Sequence, residues 1–221
     1  MKILFTLDDV LRNKTQQVIK IYKKYIDKSL DEESVDITKD GLCENLHFDN
    51  IKEYNKFLYQ DYAFEIFAEA TPPQKMLDKD FSMWHLKINE NSEIDENIDV
   101  ILGNPFEFNN SIGFTYFYLS KIATRIREIY FPLNSIELWD KCDIMVTADR
   151  KLLENKPEGK IVVKIKMPYN IDCESDYTYD DLSQFLKDNN FLKKINGTYI
   201  EDSLDINENN DEKNDDNKKD K

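Results

Sequence analysis

The sequence predicts an α/β protein built on a parallel sheet. Three short apolar runs, at residues 3–7, 143–147 and 161–165, each end in polar residues. Helical patterns separate these runs along the chain. An alternation of strands and helices is typical of parallel sheets whose strands are joined by right-handed crossovers. The polar ends of the three runs are therefore expected at one edge of the sheet.

The first run is the most informative of the three. It is mostly apolar over residues 3–7 and then breaks into Asp8 and Asp9. An apolar run is typical of a buried central strand, and ligands bind at the carboxyl edge of open α/β sheets. Asp8 and Asp9 are therefore the first candidates for a functional site. The alternative, that they form only a solvated turn, stays open at this point.

Helical periodicity fills much of the remaining chain. Apolar residues recur at helical spacing over 15–28, 51–70 and 112–130, and prolines follow the last two stretches. Residues 81–88 are predicted as a strand. A crossover needs only about a dozen residues, yet the first two strands lie near residues 7 and 143. The excess predicts additional helices or an inserted lobe.

Composition limits the classes of function. The net charge of −14 disfavours nonspecific binding to nucleic acid, because such a surface repels phosphate backbones. No apolar run approaches the roughly 20 residues of a membrane span, and the N-terminus lacks a signal-peptide pattern. We expect the protein in the cytoplasm of its host cell or in a particle assembled there. Residues 201–221 have nine acids, four bases and little apolar content, which predicts a disordered acidic tail.

Residues 3–11 resemble motif I of the haloacid dehalogenase (HAD) superfamily. That motif is an apolar strand followed by Asp-x-Asp, a small residue, Thr or Val, and Leu. Asp8 falls on the second Asp, Val10 and Leu11 match the end, and Asp9 stands where Gly is usual. The first Asp, which is the covalent nucleophile of family phosphatases, falls on Thr6.

The resemblance implies a domain organisation. It predicts a HAD-like parallel sheet core formed by residues 1–14 and 112–200. A mostly helical insertion after the first strand would occupy residues 15–111, and residues 201–221 would be the tail.

The later motifs of the family are matched less well. Thr147 ends its strand where motif II places a Ser or Thr that binds the transferred phosphoryl group. Lys156 and Lys160 are candidates for the motif III lysine, which gives a predicted anion-binding set of Thr147, Lys156 and Lys160. Motif IV would place acids directly after the third strand. Here acids arrive only after a proline-bearing turn, at Asp172, Glu174 and Asp176.

These departures predict a catalytically degenerate protein. The family chemistry needs a carboxylate nucleophile and Mg²⁺ held by oxygen ligands, whereas the Thr6 hydroxyl is a poor nucleophile without an adjacent base. Asp8 would retain at most an acid/base role, and no cofactor is expected. The rival prediction is an active Mg²⁺-dependent phosphohydrolase that uses Asp8, Asp172 and Asp176 as metal ligands. A third alternative is an anion-binding module without turnover.

A second resemblance concerns the partners. The Asn, Lys, Asp and Glu usage and the run over residues 147–170 look like virion-associated proteins of crAss-like tailed phages. This resemblance implies a structural component of a tail or neck. The expected partners are then other proteins in a multi-subunit phage assembly, and neither nucleic acid nor membrane.

Overall fold

The structure, a computed structural model, describes residues 1–38, 42–73, 81, 84, 98–104, 109–122, 126, 128–188 and 190–191. The chain divides into two compact units, Met1–Lys187 and Asp188–Lys221, and every helix and strand given below belongs to the first. Among the described residues, no helix combines the length and apolar character needed to cross a bilayer.

The core is a sheet of six parallel strands in the order β3-β2-β1-β4-β5-β6. The strands are β1 (Lys2–Thr6), β2 (Asp99–Gly103), β3 (Ile129–Tyr130), β4 (Ile144–Thr147), β5 (Ile161–Ile165) and β6 (Tyr177–Tyr179). The predicted neighbours β1, β4 and β5 are adjacent and parallel, and β1 is internal. The predicted α/β fold class is therefore confirmed.

Most of the described helices lie between strands in the sequence, and one follows the last strand. They are α1 (Lys14–Tyr25), α2 (Leu42–Asn45), α3 (Ile51–Lys56), α4 (Asn109–Lys121), α5 (Arg150–Glu154) and α6 (Leu182–Lys187). Two π-helical segments, Phe57–Asp61 and Phe64–Ala68, continue the chain beyond α3. Short 3₁₀ helices are formed by Glu32–Ser34, Ser135–Lys141 and Pro168–Asn170.

The strand order is that of a doubly wound sheet, and it creates a switch point beside β1. The chain proceeds from β1 through β2 to β3 on one side, and then returns to place β4 on the other side of β1. Ligands of such sheets bind at the carboxyl ends of the strands at this point. Here the ends of β1 and β4 meet at Thr6 and Thr147.

Apolar side chains cover both faces of the sheet. Leu4, Met145 and Val162 pack in one cluster with Trp139 and Leu152. On the opposite face, the ring of Phe5 lies edge-on against Phe81, Trp84 and Phe185. Because strands alternate their side chains, β1 is buried from both sides, as its apolar sequence predicts.

A second apolar cluster belongs to the helices between β1 and β2. Val18 and Ile19 of α1 pack there with Phe57, Ile66 and Phe67 of the two π-helical segments, and Tyr54 of α3 packs against them. The described part of the chain between β1 and β2 contains helices and no strand, which agrees with a helical insertion after the first strand.

The structure corrects several details of the prediction. β2 lies inside residues 15–111, the predicted lobe, so the sheet reaches back into that range through its pairing with β1. The helix predicted over 112–130 ends at Lys121, because Ile129 and Tyr130 instead pair with β2 as β3. The tail at 201–221 lies outside the described residues. So does the strand predicted over 81–88, except for Phe81 and Trp84, whose backbone is helical.

Candidate functional site

The ends of β1 and β4 bring two hydroxyls together. The Thr6 Oγ1–H donates to Thr147 Oγ1 at 3.1 Å, and the backbone N–H of Asp149 donates to the same oxygen at 3.0 Å. Thr6 and Thr147 are 1% and 0% exposed. The position of the family nucleophile is therefore a buried hydroxyl whose hydrogen bond is already made within the protein.

Asp8 follows β1 and is bound by two cations. The Arg12 guanidinium donates to Asp8 Oδ1 from Nε at 3.0 Å and from Nη2 at 2.6 Å. The Lys14 ammonium donates to Asp8 Oδ2 at 2.7 Å. The side-chain amide of Asn104, the residue after β2, also donates to Oδ2, at 3.4 Å. Both carboxylate oxygens are thus occupied by donors of this chain.

Arg12 is held rigidly in this arrangement because the protein surrounds it completely. The residue is 0% exposed, and its Nη1 donates to Thr115 Oγ1 at 2.6 Å. Its guanidinium carbon lies 4.9 Å from the centroid of the Phe67 ring and 5.8 Å from that of Tyr118. A buried arginine is stable only when paired, and Asp8 supplies the negative charge.

The charges around Asp8 determine its protonation state. Burial raises the pKa of Asp8, but the charges and hydrogen bonds of Arg12 and Lys14 more than offset this effect and lower the pKa from 3.8 to about 2. Burial alone would lower the pKa of Lys14. The charge of Asp8 counteracts this effect, and the pKa of Lys14 lies well above its ordinary range. Asp8 is therefore a fixed anion at neutral pH and has no proton to donate.

Asp9 has a different environment, although it is the next residue. Its φ is 58°, a left-handed conformation that suits Gly or Asn and is less strained for Asp than for most other residues. Its carboxylate accepts from Thr15 N–H at 2.9 Å, from Thr15 Oγ1–H at 2.5 Å and from Tyr169 O–H at 2.9 Å. Burial raises the pKa of Asp9, which the bonds from Thr15 only partly counteract.

No acid directly follows β5, where motif IV would place its acids, since residues 166–170 are Lys, Met, Pro, Tyr and Asn. Tyr169 and Asn170 follow β5, and the Tyr169 hydroxyl reaches Asp9. The Asn170 amide donates to the carbonyl oxygens of Ala148 and Ile165 at 2.8 and 3.0 Å. Asn170 is fully buried, so it fastens the loop after β5 to the end of β4. Nothing in these bonds supplies an anionic ligand.

The structure does not bring the predicted lysines to this edge. Lys160 immediately precedes β5 and Lys156 lies a turn earlier, whereas Thr147 ends β4. In parallel strands these are opposite edges, separated by roughly 16 Å for a five-residue strand. Lys156 donates to Asp176 at 2.8 and 3.0 Å, and Lys160 donates to the Cys142 carbonyl at 2.7 Å. The predicted anion-binding set is corrected accordingly, because only Thr147 lies at the same edge of the sheet as Asp8.

The late acids are also engaged elsewhere. Asp176 precedes β6 and accepts from the backbone N–H of Val162, near the amino end of β5. Asp172 forms a two-pronged ion pair with Arg150 at 2.7 and 2.8 Å, and its side chain is 68% exposed. Glu174 is exposed. The structure does not gather these acids around Asp8.

The predicted metal ligands do not fit Mg²⁺. That ion requires oxygen ligands in near-octahedral geometry, and it is usually bound through carboxylates. The carboxylates of Asp8, Asp172 and Asp176 each form ion pairs with basic side chains, and the three lie in different places. In the part of the chain that the structure describes, no group of three or more His, Cys, Asp or Glu side chains could hold a metal ion.

Sequence reasoning missed four residues of the site: Arg12, Lys14, Asn104 and Tyr169. The spacing of Arg12, four residues after Asp8, gave a local signal, and so did the basic charge of Lys14. Asn104 follows β2, a strand that was not predicted. Tyr169 reaches Asp9 across 160 residues of sequence, a separation for which one sequence carries no signal.

Comparisons with known proteins agree with this fold. No protein family model and no curated protein matches the chain. A matching solved structure is a protein of Burkholderia xenovorans that carries the provisional description of a haloacid dehalogenase-like hydrolase. Its TM-score is 0.51 at 10% identity, over 86% of this chain and 97% of that chain. At such low identity the likeness shows the fold alone, which is HAD-like.

Proposed function

We propose that this protein is a catalytically degenerate member of the HAD-like fold that acts as a structural or interaction module. The observation that carries the proposal is the state of Asp8. Both of its oxygens are bound by Arg12 and Lys14, at 2.6 to 3.0 Å. An acid that is paired in this way stays ionised and bound to cations of its own chain.

The carboxyl edge of the sheet lacks the groups that phosphoryl transfer requires. Thr6 supplies a hydroxyl in place of a carboxylate, and its described hydrogen bond goes to Thr147 and not to a base. A general acid or base works best when its pKa lies near the working pH, whereas that of Asp8 is about 2. A missing nucleophile alone costs many orders of magnitude in rate.

Exposed aromatic residues support an interaction role. Phe64, Tyr116 and Phe117 are 42%, 51% and 47% exposed. The ring of Phe64 lies 5.9 Å from that of Phe117, so these two form one surface. Large exposed aromatic groups are enriched where proteins bind other proteins. Together with the sequence resemblance to virion-associated proteins, this surface supports a role in a multi-subunit assembly, such as a phage tail or neck.

A phosphatase assay tests the loss of turnover. Wild-type protein with p-nitrophenyl phosphate and Mg²⁺ should release phosphate no faster than buffer, and Asp8→Asn should not change that rate. Asp176→Asn is the matched control, because it removes a paired carboxylate at the other edge of the sheet. Mg²⁺-dependent turnover that Asp8→Asn abolishes and Asp176→Asn preserves would establish the hydrolase alternative.

The interaction role has its own test. Crosslinking of the tagged chain in its native cell should give defined protein adducts, and Phe64→Ser with Phe117→Ser should reduce them. Leu133→Ser is the control, since Leu133 is an aliphatic residue that is 84% exposed and does not belong to the Phe64–Phe117 pair. Equal adducts from the wild type, the double variant and Leu133→Ser would show that the Phe64–Phe117 surface does not bind these proteins.

A further inference from the structure

The ammonium of Lys14 occupies a site made of one carboxylate and aromatic rings. Its Nζ lies 2.7 Å from Asp8 Oδ2 and 5.5 Å from the centroid of the Phe67 ring. Tyr59 stacks on Phe67 with a centroid distance of 5.3 Å and an interplanar angle of 17°. A carboxylate combined with aromatic faces is the environment in which proteins bind alkylammonium groups.

We propose that the carboxyl edge of β1 contains an alkylammonium site that the chain fills with its own Lys14. Together with Arg12 on Oδ1, this internal ammonium gives each oxygen of Asp8 a cationic partner without a divalent metal. The proposal deepens the proposed function, because it states how the charge of the retained acid is balanced. Its test measures thermal stability and not turnover, so that failure of one proposal is seen separately from failure of the other.

The donor set explains why the site suits an ammonium ion better than Mg²⁺. With Lys14 truncated, Arg12 would still bind Oδ1, which leaves Oδ2 as the carboxylate oxygen facing the vacancy. Asn104 presents its amide N–H and not its oxygen to Oδ2, so it supplies no oxygen ligand for Mg²⁺ there. An aromatic face attracts a weakly hydrated organic cation, whereas Mg²⁺ retains its water and requires oxygen ligands.

Chemical rescue of Lys14→Ala tests the proposal. Truncation should lower Tm by roughly 5 to 10 °C, because it leaves a carboxylate with one of its two cations. Ethylammonium at tens of millimolar should restore a saturable part of that loss. MgCl₂ at the same ionic strength should restore none, and neither salt should shift the Tm of the wild type.

Lys24→Ala is the matched control variant. Lys24 lies on the same helix and also approaches a ring, since its Nζ is 4.6 Å from the centroid of Tyr25. Within the described ranges it forms no ion pair with a carboxylate at the end of a strand. This exposed lysine should change Tm by about 1 °C at most. Ethylammonium should not rescue the control.

Three outcomes would overturn the proposal. They are an unchanged Tm for Lys14→Ala, rescue by MgCl₂ that equals or exceeds rescue by ethylammonium, and a saturable Mg²⁺ stabilisation of the wild type. If Lys14→Ala does not fold, Lys14→Arg and Lys14→Met replace it. The arginine variant should then retain clearly more of the wild-type Tm than the methionine variant, and equal Tm values would contradict an internal cation.

Discussion

Two ion pairs at opposite edges of the sheet use the same residue types in different ways. Asp8 and Lys14 lie 2.7 Å apart with side chains 18% and 21% exposed, at the carboxyl end of β1. Asp176 and Lys156 lie 2.8 Å apart with side chains 34% and 31% exposed, at the amino end of β5. The N–O distances of the two pairs are almost equal. The pairs differ in their surroundings, since Asp8 also binds the fully buried Arg12.

This difference shows that position in the sheet decides what a charged residue does. An exposed pair contributes about 0 to 1 kcal/mol, because water screens it. A buried charge that loses its partner costs about 3 to 5 kcal/mol, because the remaining charge is left without compensation. The Asp8 cluster should therefore determine stability, while the Lys156 pair should be nearly neutral.

The largest effect is expected for Arg12→Met. This change removes a fully buried cation with its hydrogen bonds to Asp8 and Thr115, so the free energy of unfolding should fall by about 3 to 5 kcal/mol in a urea titration. Adding Arg12→Met to Asp8→Asn should recover part of the loss that Asp8→Asn causes alone, because it removes a fully buried cation that would otherwise have no carboxylate. A single-variant loss below about 1 kcal/mol would place Arg12 with the exposed pairs.

A smaller effect is expected at Asp9, where backbone and side chain act together. Asp9→Ala should cost about 2 kcal/mol, because it loses the bonds from Thr15 and Tyr169 and places alanine at a positive φ. Asp9→Asn should cost less, because Asn tolerates that conformation and can still accept from Thr15 N–H. Equal losses for both variants, measured by urea titration, would show that φ and the hydrogen bonds do not matter there.

The stabilities of the wild type and of Asp9→Asn should depend differently on pH. Asp9 has a native pKa above 3.8, so it binds protons more readily in the folded chain, and its stabilising contribution is lost as pH rises through that native value. The stability of the wild type relative to Asp9→Asn should therefore increase as pH falls from about 7 towards about 4. A constant difference across this window would mean that the native pKa of Asp9 is not raised.

The smallest effect is expected for Asp176→Asn. The pKa of Asp176 is lowered because Lys156 and the Val162 N–H outweigh burial, yet the pair is about one third exposed. We expect a loss below about 1 kcal/mol that shrinks in high salt. A loss as large as that of Arg12→Met would remove the distinction between the two edges.

The fold was more predictable from sequence than the site, for a physical reason. β1, β4 and β5 are continuous apolar runs, and burial on both faces leaves that pattern in sequence. β3 and β6 have only two and three residues, and their pairing depends on neighbours that lie elsewhere in the chain. Thr6 and Thr147 were placed together because both end predicted strands. The predictions for Lys156 and Lys160 were wrong, because the sequence alone does not show whether a residue between β4 and β5 lies at the carboxyl end of β4 or at the amino end of β5.

The protonation state of Asp8 tests the central claim most directly. A carbon-detected NMR titration can follow its side-chain carboxyl, with the resonance assigned from Asp8→Asn. We predict a constant carboxylate shift from about pH 7 to about pH 4, because Arg12 and Lys14 hold the pKa at about 2. The stability that this pairing gives is present above 3.8 and is lost as pH falls through about 2. A midpoint at or above 3.8 would show an acid that its own cations do not hold, and would contradict the account.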